Sequence, residues 1–139
     1  MSEANLNVAA DIGKLILRLT LGVLMLFHGV AKVVNGPAFI LDTVAQAGMP
    51  EALGYLVFAG EVLALLLIIA GVWTRAAAAV VAINMVVAVA LVHMNDIFAL
   101  SQSGGWLLEL QGMYLFTSVA VALLGAGRIS LGGTAGHWN

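Results

Sequence analysis

Four long apolar runs, separated by short polar or helix-breaking stretches, set the expected architecture. The first covers about Leu15–Val34 and stops at Asn35-Gly36-Pro37, where glycine and proline interrupt a helix. Residues 38–50 are only semi-apolar. Phe39, Ile40, Leu41 and Val44 alternate with Asp42, Thr43 and Gln46, and Gly48-Met49-Pro50 closes the segment. It is too short to span a bilayer and predicts an interfacial or re-entrant helix. The second run covers about Ala52–Trp73, the third about Ala76–Met94 across the short Thr74-Arg75 connection, and the fourth about Gly105–Ala126 after a polar loop. A run of about 20 residues crosses ~30 Å of hydrocarbon. The pattern predicts an all-α integral membrane four-helix bundle, antiparallel, with residues 1–139 as one membrane domain and 1–13 as a polar tail.

Composition agrees with this reading and narrows the function classes. Residues are 63% hydrophobic and 9% charged, whereas soluble domains carry roughly a quarter charged residues. A net charge of −2 with no Lys/Arg cluster excludes a basic nucleic-acid surface. The absence of cysteine excludes disulfides, thiol catalysis, thiolate haem ligation and cysteine-ligated iron–sulfur clusters. Lys14 before an apolar run could suggest a signal peptide. That run is long enough to span, contains Arg18 and ends in His28 and Lys32 rather than a small-residue cleavage site, so it reads as a retained first helix.

The few charges orient the bundle. Lys14, Arg75 and Arg128, with Arg18 just inside the membrane, fall on the side of the termini, and Lys32 falls on the other. The positive-inside rule then places both termini in the cytoplasm. Tyr55, Trp73 and Trp106 lie near span ends as interfacial anchors. Gly22, Gly29, Gly60, Gly71, Gly112 and the Ala76–Ala79 run permit close helix approach.

Span order also sorts the ionisable groups by depth. His28 and Lys32 end the first span, His93 ends the third, and Glu109 and Gln111 begin the fourth. Glu61 lies about 13 Å in from the same face at ~1.5 Å per residue. Ionisable side chains are costly in a bilayer and are expected to face inward and pair. Glu61 and His28 are the candidate catalytic groups. Lys32, His93, Glu109, Gln111 and Arg18 are expected to form a ligand-binding or ion-pair network, with Glu61 and Glu109 as counter-charges to Lys32. For Arg18 and Asn84, a role in fixing helix register is the preferred reading.

Such a group suits a quinone headgroup, whose carbonyls accept hydrogen bonds and whose reduction takes up protons. His28, His93, Glu61 and Glu109 could form a two-His, two-carboxylate metal set, but no helical Glu-x-x-His motif supports it. Haem between His28 and His93 would rest on two isolated histidines. Neither metal nor haem is expected. A polar cavity holding a partner's transmembrane segment is the non-catalytic alternative.

The residues Arg18-Leu19-x-Leu21-Gly22, Phe27-His28-Gly29-x-x-Lys32, Gly60-Glu61 and Gly71-x-x-Thr74-Arg75-x-Ala77-Ala78 together resemble the DoxX family of small bacterial inner-membrane proteins. The resemblance implies a multi-pass protein with four helices and cytoplasmic termini. It also implies similarity to the membrane subunit of thiosulfate:quinone oxidoreductases and to members of oxidative-stress complexes. Other relatives act as chaperones or cargo receptors. The matched positions are Arg18, His28, Lys32, Glu61 and Arg75. The expected function is therefore a membrane subunit of a quinone-linked respiratory or detoxifying oxidoreductase, binding quinone or another small redox substrate beside membrane lipid and a protein partner. The alternative is a non-enzymatic assembly factor, chaperone or accessory subunit.

Overall fold

The computed structural model describes residues 3–50, 52–134 and 136–139, with side chains left out at 3–6 and 58–60. The packing expected of Gly60 lies outside the described residues. Among the described residues five α-helices follow one another: α1 Glu3–Asn35, α2 Ala38–Gln46, α3 Ala52–Ala70, α4 Thr74–Val92 and α5 Glu109–Leu124, with a 3-10 turn at Met94–Asp96. No strand occurs among the described residues. Among the described residues, three stretches are long and apolar enough to cross a membrane: Asn7–Asn35, Ala52–Ala70 and Thr74–Val92. Helix α5, at 16 residues, is roughly 24 Å long.

Two elements differ from the sequence expectation. Helix α1 begins at Glu3, so the expected polar tail is its first turns. Nothing between Glu3 and Ile12 breaks a helix, and the ion pair from Asp11 to Arg128 ties this extension to the chain after α5. Helix α5 starts at Glu109 rather than near Gly105. The preceding residues form a tight loop instead: Ser101 N–H donates to Gly105 O (2.8 Å) and Leu107 N–H to Ala99 O (2.9 Å).

Helix α1 packs on α3, α3 on α4, α4 on α5, and α5 returns to α1, while α2 lies against α3 and α4. The contacts between α1 and α3 run in opposite residue order: Arg18 meets Ile68 and Ile69, whereas Lys32 meets Glu61. Leu21, Met25, Leu65, Ile68, Ala78, Val81, Met85 and Val121 form the core. Phe27, Leu63, Leu66, Ile83, Phe116 and Leu123 are exposed on the outside. That outward apolar surface is what a lipid-facing helix requires, because its backbone polar groups are already satisfied within the helix.

Gly29 governs the approach of α1 to α3. A Cβ there would lie 3.0 Å from Glu61 O and 3.5 Å from Val62 Cγ2. Between α3 and α4 the turn is tight, with Gly71 at φ 72° and Trp73 at φ 48°. The chain after α5 folds back onto this turn. Leu131 N–H donates to Ala70 O and Gly132 N–H to Gly71 O, both at 3.0 Å.

Candidate functional site

The Glu61–Lys32 pair is the centre of the polar end. Lys32 Nζ lies 2.6 Å from Glu61 Oε1 and 2.8 Å from Oε2. Glu61 is only 4% exposed while the Lys32 side chain is 38% exposed, so the carboxylate is sunk in the bundle and the ammonium reaches it from the rim. Glycine at position 29, one turn before Lys32, lets α1 come close enough for this reach.

Beside the pair is a cavity of about 230 Å³ lined by Met25, His28, Lys32, Glu61, Met85, Ala88, His93, Leu110, Gln111 and Tyr114. Its polar groups come from α1, α3, the end of α4 and α5, set in an apolar frame. His28 Nδ1 is 3.3 Å from Leu24 O, and its ring meets Tyr114 edge-on at 5.8 Å. His93 Nδ1 lies 3.1 Å from Asp96 Oδ2. On the opposite flank of the ion pair is a smaller cavity of about 70 Å³. Phe39, Ile40, Thr43 and Val44 of α2 line it, together with Asn84. Asn84 Nδ2 donates to Val57 O at 3.3 Å.

Of the residues expected to form the site, Glu61, His28, Lys32, His93 and Gln111 share this one cavity. Glu109 does not join them. Its Oε1 accepts from the Trp106 backbone N–H at 3.1 Å, and it lines a separate surface depression with Ser101, Leu107 and Met113. The expected Glu109–Lys32 pairing is therefore corrected. Gln111 is two residues further on and so points about 200° away from Glu109 around the helix, which is why one enters the cavity and the other does not.

Arg18 also lies outside the cavity. It is 3% exposed, and its guanidinium donates to Ile68 O at 3.0 Å, to Ile69 O at 2.6 Å and to Ile129 O. It thus closes the C-terminal end of α3, whose last carbonyls have no partner within the helix, and whose dipole favours a cation there. Its Nε is buried without a partner among the described residues.

The structure adds two polar residues that depth alone did not single out. Tyr114 lies one turn past Gln111 on the same face, a signal present in the sequence. Asp96, in the polar loop before the fourth apolar run, holds His93 across three positions. Among the described residues, no three His, Cys, Asp or Glu side chains gather as a metal-ligand set.

Long apolar helices packed around a few buried charges define a helical membrane protein. The chain belongs to the DoxX family, whose model matches residues 13–94. It is also similar to "Putative oxidoreductase CatD" of Bacillus subtilis (strain 168), at 26% identity over 126 residues, covering 91% of this chain and 89% of that protein. No solved structure matches the chain. The family match takes in Arg18, His28, Lys32, Glu61 and His93, and ends before Gln111 and Tyr114.

Proposed function

We propose that this protein is the membrane subunit of a quinone-linked respiratory or detoxifying oxidoreductase. In this reading, four antiparallel crossings of a bacterial inner membrane place the cavity in the non-cytoplasmic half and both termini in the cytoplasm. The supporting observation is the shared cavity itself, where a buried carboxylate, an ammonium, two imidazoles, an amide and a phenol line one space of about 230 Å³. Drug-sized ligand pockets begin at roughly 300 Å³, so the space suits a single headgroup ring rather than a whole lipid. The oxidoreductase name of the Bacillus subtilis relative points to the same class.

Each lining residue has a task under this proposal. Lys32 and the Gln111 amide donate hydrogen bonds to ring carbonyls. Glu61, hydrogen-bonded to Lys32, is positioned to exchange a proton with a ligand oxygen. His28 and His93 supply imidazoles on either side, and Asp96 orients the His93 ring. Electrons come from a partner subunit.

The test is quinone content after purification from membrane. The expected result is retained quinone in the wild type, with Glu61→Gln and His28→Ala each losing binding by about tenfold or more, the weight of one hydrogen bond to a charged group. A wild-type protein free of quinone but holding a partner's transmembrane segment overturns the proposal in favour of an assembly or chaperone role. Cysteine placed at Ser101 tests orientation: labelling from the cytoplasm alone would reverse the assigned sides.

A further inference from the structure

The opposite end of the bundle carries a second polar cavity, of about 350 Å³, lined by Lys14, Arg75, Leu124, Gly127, Thr134, Gly136, His137 and Asn139. Its nitrogen-bearing side chains come from three distant parts of the chain: the cations Lys14 from α1 and Arg75 from the first turn of α4, and the imidazole of His137 from the folded-back tail. We propose that this cavity binds the phosphate of an anionic phospholipid headgroup.

Both cations keep donors that point to no acidic side chain among the described residues. Asp11, an acidic side chain at this end, is already engaged by Arg128. Among the described residues, Lys14 and Arg75 have no carboxylate side chain within ion-pair distance. Arg75 uses only its Nε, which donates to the backbone oxygen of Asn139 at 3.1 Å, so its two terminal nitrogens have no partner among the described residues. That single bond also fixes the direction of the guanidinium, and a planar fork held in place is well suited to phosphate.

The depth of the cavity selects a lipid over a free anion. Trp73, two residues before Arg75, is 67% exposed, and Trp138, beside His137, is 62% exposed. Exposed tryptophans beside an apolar span mark the headgroup level of a bilayer. Leu124 gives the cavity an apolar wall leading to the exposed Leu123 on α5, where an acyl chain would continue. The tail that supplies His137 is itself fixed: Arg75 N–H donates to Trp138 O at 2.9 Å, and Thr74 Oγ1 donates to Asn139 Oδ1 at 3.2 Å.

The test uses the full chain in nanodiscs of equal phosphatidylglycerol and phosphatidylcholine, followed by native mass spectrometry of the released protein. The expected result is preferential retention of phosphatidylglycerol, reduced about fivefold by Lys14→Gln and again by Arg75→Gln, as each cation at a membrane surface contributes comparably. Arg75→Lys should retain only part of the preference, because a point charge keeps the attraction but not the fork, and Glu109→Gln, at the other end, should leave it unchanged. Equal retention of the two lipids, or a preference unchanged by Lys14→Gln, overturns the proposal. Lys14→Gln is decisive if Arg75→Gln disturbs the tail, because Lys14 holds no hydrogen bond among the described residues. Inorganic phosphate protecting the lipid-free protein in detergent, with no lipid preference in nanodiscs, would reassign the cavity to a free anion and also overturn it.

Discussion

Arg18 and Glu61 are both charged and both almost fully buried in apolar helices, yet they sit in opposite kinds of surroundings. Arg18 ends on backbone carbonyls from α3 and the tail, and its head is enclosed by chain. Glu61 ends on one movable ammonium and borders open space on two sides. Burying a charge is costly in either place. At Arg18 the cost is offset by closing a helix end and fastening a long-range turn, which is a structural return. At Glu61 the pair stabilises little beyond itself, and the adjoining cavities leave room for a third party. A buried charge is thus read by what lies on its far side, not by its burial.

The comparison breaks most readily at Arg18. Arg18→Gln should destabilise the fold by on the order of 3–5 kcal/mol, since charge-assisted bonds to buried carbonyls are lost together. Unfolding by heat or by a denaturing detergent measures this, and Arg18→Lys should recover only part because a point charge cannot fork between carbonyls. Glu61→Gln should reverse the ranking. It should cost only about 1–2 kcal/mol in the same unfolding assay, the usual weight of an intramembrane polar contact, while abolishing most binding in the cavity. If Glu61→Gln unfolds the protein as severely as Arg18→Gln, the two ends are alike and the cavity loses its distinction.

Gly29→Ala comes next in size. The added methyl would meet the Glu61 carbonyl at 3.0 Å, so α1 must move away from α3 at a cost of about 1 kcal/mol or more. The shift acts on the reach of Lys32, so the variant should lose cavity binding out of proportion to its loss of stability. Equal losses would mean that the glycine serves packing alone.

The contrast between the ends also explains what the chain made legible. Uninterrupted apolar runs and the breakers at 35–37 and 48–50 marked the helices, because hydrocarbon tolerates few alternatives. Depth was legible too: span order alone put His28, Lys32, Glu61 and His93 at one end. Direction around a helix was not, wherever the helix start moved. Winding Gly105 to Leu108 into a loop left Glu109 at the first position of α5, facing its own turn. The partner of Arg18 was hidden for a different reason. Ile129 is 111 residues away in a glycine-rich tail with no periodicity, so nothing local announces that the tail returns to the α3–α4 turn.

The smallest effect is expected at Glu109, and it sharpens the boundary of the site. Its carboxylate accepts the Trp106 N–H at the start of α5, where a negative charge is favoured by the helix dipole. Glu109→Gln keeps an acceptor and removes the charge, so the fold should lose less than about 1 kcal/mol. Cavity binding should be unchanged, because the side chain leaves the helix on the face opposite Gln111. The paired measurement is Gln111→Ala, which touches no helix end and should weaken binding several-fold, as the loss of one neutral hydrogen bond does. If Glu109→Gln instead weakens binding as much as Gln111→Ala, the first turn of α5 must rewind when the ligand arrives. The site would then include the 99–107 loop as a moving part, and the boundary drawn at Gln111 would be wrong.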